Sequence, residues 1–179
     1  TGLRAATGRI IDIAVIRVEN GVVTGAFQSL VNPGMTVSDS SLELTGIGHE
    51  ELERAPTFDE VIGDLLPLFE GAVFVAHNAA FDYSFFKAEC RRMGMAFERP
   101  TLCTVQLSRL LYPGSPSHNL DSLMARHGIV CADRHRAYPD ADVVRQFLEQ
   151  LHAQRNEDTR HAIAQLLYGK SSTPLLERS

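Results

Sequence analysis

Ala72-Val-Phe-Val-Ala76 is the segment that most restricts the fold. This apolar run stands between Gly71 and the polar pair His77-Asn78. It is short for a helix and lacks the alternation of a half-exposed strand. Such a run reads as a strand covered on both faces, which favours an α/β sheet with helical cover. The flanks supply the helices. Thr57-Phe-Asp-Glu60 reads as a capping box, opening a helix with Val61, Ile62, Leu65, Leu66 and Phe69 at helical spacing. After the strand, a helix from about Ala79 to Met93 takes Asn78 as its N-cap and Gly94 as its stop.

Upstream, Arg9–Val18 and Val22–Val31 are runs rich in β-branched residues, separated by Glu19-Asn20-Gly21. Asn-Gly between two such runs predicts a hairpin, because both central residues of a type I′ turn need positive φ. Asn32-Pro33-Gly34 ends the second strand, and a polar, loop-like stretch is expected to about Glu43. Downstream, helices over Thr104–Leu111 and Leu120–His127 end at Pro113 and Gly128. A longer helix is expected from Pro139, with Val143, Val144, Phe147, Leu148 and Leu151 as its buried stripe. Beyond Gln154 the chain turns charged, recovers as a short amphipathic helix at Ala162–Tyr168, and ends in the linker-like Ser171-Ser-Thr-Pro174. The expected division is one domain over residues 1–154 and a loosely attached helix and tail over 155–179.

Composition removes several classes of function. With 179 residues, 44% hydrophobic and 22% charged, the chain is the size and make-up of one globular domain. A net charge of −5 argues against a broad electrostatic grip on duplex nucleic acid, though not against holding one strand end through a metal. No apolar run approaches the roughly 18 residues of a membrane helix, and the first residues do not read as a secretory signal. Cys90, Cys103 and Cys131 are an odd, widely spaced set, which fits neither a disulfide framework nor a zinc knuckle. The expected compartment is a reducing cytoplasm.

Two places offer chemistry. Asp82 lies in the opening turn of a helix, directly after the apolar strand, where open α/β sheets place their sites. An ordinary first-turn carboxylate favoured by the helix dipole would look the same. His135 and Asp140 would diverge by roughly 140° on one continuous helix. With a helix starting at Pro139, Asp140 falls in its first turn and His135 on the preceding loop, free to fold back beside it. A metal-holding carboxylate and a proton-accepting histidine want that arrangement. A surface histidine in the basic stretch Arg134-His135-Arg136 is the plain alternative. Asp142 is expected to be solvated, and His49, His118, His127, His152 and His161 to be surface or capping groups.

Taken together, His77-Asn-Ala-Ala-Phe-Asp82 after a strand and His135-x-x-x-x-Asp140 at a late helix resemble the DEDDh exonucleases, in particular the proofreading epsilon subunits of bacterial DNA polymerase III. Thr1-Gly2-Leu3, Arg9-Ile-Ile-Asp-Ile13, Val31-Asn-Pro33, Leu44-Thr-Gly-Ile47 and Leu120-Asp-Ser-Leu123 fall in the family's order, over roughly residues 1 to 151. The resemblance implies a ribonuclease H-like mixed sheet with an N-terminal hairpin, flanked by helices. It implies two Mg²⁺ or Mn²⁺ ions held by four carboxylates at a strand's 3′ end, with Asp82 the third ligand, Asp140 the fourth and His135 the general base. Asn78 and Phe81 would line the terminal-nucleotide pocket, and Leu3 would wedge near the last base.

The family's first motif, Asp-x-Glu-Thr-Thr-Gly, is represented only by Thr1-Gly2, so both of its carboxylates are missing from these residues. Asp12 belongs to the next strand and is expected to be a hydrogen-bonded strand group rather than a replacement ligand. The expectation is therefore an incomplete metal site in these residues and a natural polypeptide that continues upstream. Three functions stay open: trimming of single-stranded DNA 3′ ends, trimming of RNA, and a non-catalytic module that binds a polymerase catalytic subunit or a fused repair endonuclease domain. Gln165-Leu-Leu-Tyr168 resembles clamp-docking peptides only faintly, and a helix packed on the domain explains it better.

Overall fold

The computed structural model describes residues 4–154 and 156–169. Strands β1 (Asp12–Glu19) and β2 (Val22–Leu30) form the expected antiparallel hairpin. Asn20 and Gly21 take φ of 53° and 79°, as a type I′ turn requires. A bulge between Arg17 and Val18 shifts the register, and nearby Gly25 faces Leu68, where a Cβ would come within 2.8 Å of the leucine. Glycine thus lets the hairpin close on the helix beneath it.

That helix is α3 (Phe58–Phe69), and its capping box is present: Glu60 accepts from the Thr57 amide at 2.8 Å. Two helices go beyond the sequence reading, the first within the stretch expected as a loop to about Glu43 and the second in the stretch after it, to which no element is assigned. Helix α1 (Asp39–Thr45) is capped by Ser38 and stopped by left-handed Gly46, and α2 (His49–Arg54) follows Gly48. Each buries a single leucine, Leu42 and Leu52, so neither leaves the repeated apolar spacing by which a helix is read.

Strand β3 (Phe74–Ala76) is shorter than the apolar run and less covered than expected, for Phe74 is buried but Val73 is 38% exposed. It leads into α4 (Ala79–Arg92), which Gly94 ends in the left-handed conformation. Strand β3 pairs in parallel with β4 (Thr101–Cys103), a strand of only three residues that runs straight into α5 (Thr104–Leu111). Helix α6 (Leu120–His127) ends at Gly128 as expected. Helix α7 (Ala137–Gln154) begins two residues before Pro139, because the Asp140 amide already bonds to the Arg136 carbonyl at 3.2 Å. Proline is tolerated there since first-turn amides have no acceptor within the helix. Helix α8 (Glu157–Tyr168) packs on α5 and β4, burying Thr159 and Ala162, so the helical part of the expected tail is docked. Ser171–Pro174 lies outside the described residues.

The class is α/β, with strands in both orientations. Among the described residues they make two pairs, β1–β2 and β3–β4, rather than one continuous ladder. Apolar packing is likewise divided. One cluster joins α3, α4 and the hairpin through Ile13, Val61, Leu65, Phe69, Phe86 and Phe97, with the Phe86 and Phe97 rings 4.6 Å apart. A second joins α5 to α8 through Leu107, Leu123, Val143, Phe147 and Ala162. Helix α7 also packs along β1, which places its first turn beside the hairpin.

Candidate active site

Asp82 sits in the first turn of α4 and Asp140 in that of α7, so their helices belong to the two different apolar clusters. Their charges nevertheless meet. The Asp82 carboxyl is pushed up to about 6, first by loss of solvation among the surrounding atoms and further by the charge of Asp140. Asp82 as a residue remains exposed, so the crowding concerns the carboxyl rather than the whole side chain. A carboxylate of this kind is a recurrent sign of a functional site.

Three non-glycine residues have positive φ among the described residues: Asn20 in the hairpin turn, and Asn78 and His135. Two of the three are sequence-predicted site residues. Asn78, at φ 73°, makes no side-chain cap to α4; it turns the chain from β3 into the helix instead. Its side chain is therefore left exposed. Phe81, 41% exposed, leans on Phe85 with ring centroids 4.7 Å apart. Leu3 lies outside the described residues.

His135 is exposed at φ 69°. The residue found on Asp140 is its neighbour Arg134, whose guanidinium pairs with the Asp140 carboxylate and also reaches Asp121 of α6 at 2.8 Å. The basic stretch is thus not a uniform solvated surface. Arg136 bonds to Asp12 at 3.0 Å, and the same carboxylate oxygen accepts from the Ala137 amide at 3.0 Å. Asp12 is hydrogen-bonded as expected, though to a helix start more than a hundred residues away.

His77 joins the constellation. Its Nδ1 lies 2.9 Å from the buried Thr104 hydroxyl, while its Nε2 is buried with no hydrogen-bond partner among the described residues. Burial holds the imidazole below its ordinary pKa; the His118 backbone opposes this, and Arg134 and Asp140 act on it from opposite signs. In the sequence His77 was visible only as part of a motif, and Thr104 carried no signal. Three expectations change: Asp142 is bound by Arg145 and Gln146, His127 is packed between Tyr112 and Phe147 rather than at the surface, and His118 is half-buried with its Nδ1 2.8 Å from the buried Ser108 hydroxyl.

Asp82 and Asp140 offer oxygen donors of the class that Mg²⁺ and Mn²⁺ take, and the charge of Asp140 reaches Asp82. In donor chemistry they fit a divalent ion. Among the described residues, however, no group of three or more ligating side chains forms a complete metal site. No helix of the described residues is long and apolar enough to cross a membrane.

Comparison with known proteins supplies the family. A model of the RNase_T family, described as Exonuclease, matches residues 1–147. The PolC-type DNA polymerase III of Caldanaerobacter subterraneus is 36% identical over 141 residues, covering 79% of this chain and 10% of that protein. The 3′-5′ exonuclease DinG of Bacillus subtilis is 36% identical over 138 residues, covering 75% of the chain and 15% of that protein. The chain thus spans about a tenth to a seventh of the length of these relatives. Among solved structures, exonuclease X in complex with 5′ overhanging duplex DNA shares the fold, with a TM-score of 0.69, 23% identity and 93% coverage of both chains. A 3′-exonuclease described as recognising the histone mRNA stem-loop has a TM-score of 0.66 at 17% identity, covering 80% of this chain and 55% of that one. With a family match across most of its length, the chain belongs to the RNase_T exonuclease family.

Proposed function

We propose that the natural polypeptide carrying this chain is a 3′-5′ exodeoxyribonuclease that removes nucleoside monophosphates from single-stranded 3′ ends, in proofreading or repair. The observation that carries the reading is the placement of Asp82 and Asp140 in the opening turns of α4 and α7, with the Asp82 carboxyl raised to about 6, chiefly by loss of solvation and further by the charge of Asp140. Two Mg²⁺ or Mn²⁺ ions, when bound, would stabilise the attacking and leaving oxygens of the displacement. Asp82 and Asp140 would hold them in part, and among the described residues no group of three or more ligating side chains forms. His135 would accept the proton of the attacking water, a role that its exposed position on a short loop leaves it free to take. Asn78 and Phe81 would receive the terminal nucleotide, with exposed Phe81 offering a ring for base stacking, and Leu3 would contact the last base.

The test is digestion of a 5′-labelled single-stranded DNA by the full natural polypeptide with Mn²⁺. We expect stepwise shortening from the 3′ end, and a loss of two or more orders of magnitude in kcat for Asp140→Ala or His135→Ala. DNA left intact by the parent protein overturns the assignment. RNA trimming is the second reading, favoured by the shared fold with the 3′-exonuclease of the histone mRNA stem-loop. Matched DNA and RNA oligomers digested side by side decide between them. The PolC and DinG relatives make a polymerase or a larger repair protein the proposed setting, and the cytoplasm the proposed compartment.

A further inference from the structure

The carboxylate of Asp12 lies at the first residue of β1, opposite Leu30 of β2, and its side chain is 14% exposed. One oxygen, Oδ2, accepts from Arg136 Nε and from the Ala137 amide, each at 3.0 Å. Ala137 opens α7, so its amide is one of the donors a helix cannot satisfy internally, and a negative charge there is favoured. The two anchored residues sit between the two groups on which the proposed chemistry depends. His135 immediately precedes Arg136, in a left-handed conformation that a non-glycine residue holds only when its surroundings fix it. Asp140 follows Ala137 by three residues, and its own amide closes the first turn on the Arg136 carbonyl at 3.2 Å.

We infer that Asp12 is a positioning residue for this exonuclease site, using Arg136 and the Ala137 amide to fix where α7 starts and so where His135 and Asp140 stand relative to the hairpin. The inference rests on the reading of His135 and Asp140 given above. Asp12 touches neither of them. It acts through the backbone between them, in the way that groups behind a ligand hold it in register. Replacement by Ala removes both hydrogen bonds and the charge. Replacement by Asn removes the charge but keeps an oxygen able to accept from Ala137.

The decisive comparison uses the full natural polypeptide, its Asp12→Ala and Asp12→Asn variants, and 5′-labelled single-stranded DNA with Mn²⁺. We expect kcat to fall about 10- to 100-fold in Asp12→Ala, the range for losing a group behind a catalytic residue, with KM within about twofold of the parent. Asp12→Asn should recover most of that loss. In parallel, the Ala137 amide should exchange with solvent faster in Asp12→Ala than in Asp12→Asn. If Asp12→Ala does not fold, as read by circular dichroism, Arg136→Gln carries the comparison, expected to lower kcat with KM held. An active parent whose kcat is unchanged in Asp12→Ala, or in Arg136→Gln where Asp12→Ala does not fold, or whose KM alone rises, overturns the positioning role and leaves the nuclease reading intact. An inactive parent overturns the nuclease reading, and the positioning role with it.

Discussion

Asp82→Asn should make the protein more stable at neutral pH. In the folded chain the Asp82 carboxyl titrates near 6, against an ordinary value of 3.8. Between those values the folded state keeps a proton that the unfolded chain has released, so this group makes stability fall as pH rises from about 4 to 6. Above about 6 the cost of the ionised carboxylate is fully present; below about 4 both states are protonated and the cost vanishes. A shift of roughly two units, at 1.36 kcal/mol each, sets a ceiling near 3 kcal/mol. Asp82 is solvent-exposed and screened, which reduces the expectation to about 1 kcal/mol. For a chain of this length that corresponds to a rise of about 2–4 °C in Tm. Thermal melts of parent and Asp82→Asn at pH 7.5 and pH 4 are the assay, without divalent metal. The predicted gain appears at pH 7.5 and disappears at pH 4. A gain of equal size at both values would refute the electrostatic argument, as would a loss at pH 7.5.

Other perturbations probe separate links. Arg134→Gln removes the cation paired with Asp140 and should tighten the binding of Mn²⁺ to the 179-residue chain about fivefold, from a single weak site, in isothermal titration; weaker binding would show that Arg134 orients Asp140 instead. Glu89, 2% exposed, accepts from Arg9 and from the Ile10 amide and lies 3.3 Å from Arg92. Its replacement by Ala should cost about 3 kcal/mol, and a chemical-denaturation loss under 1 kcal/mol would contradict the buried-pair reasoning. Gly25→Leu should be tolerated poorly, because even a Cβ there meets Leu68 at 2.8 Å; a melting temperature equal to the parent's would refute the close contact.

What the sequence disclosed followed the length of each signal. Helix α3 spans three turns and carries a capping box, and the Asn20-Gly21 turn has a strong conformational requirement, so both were legible. Helices α1 and α2 bury one leucine each, and β4 is three residues long, which is too little pattern for periodicity to detect. Of the proposed site residues, the places of Asp82 and Asp140 in opening helix turns are legible in the sequence, because a helix start following a strand or loop is a local feature. The placement of Arg134 on Asp140 was not, since either Arg134 or His135 could turn toward the helix and only the loop's three-dimensional path decides. Asp12 reads from the sequence as a strand group, and nothing local points to its partners at Arg136 and Ala137.

Because the buried face of α4 lies in one apolar cluster and that of α7 in the other, while α7 also packs along β1, Asp82 and Asp140 stand on helices that meet across the join of the two clusters, a seam. The distance between the two carboxylates is therefore set by how the two halves sit together, rather than by either helix alone. A small slip at the seam changes the spacing of the pair while each cluster stays packed. A truncation deep in either core, such as at Phe86 or Phe147, would then register as lost cation affinity at a temperature where the helices are still formed. Conversely, an ion shared by both carboxylates would act as a rivet across the seam, stabilising the joined state by its preference for it. The chemistry and the rigidity of this fold would rise and fall together.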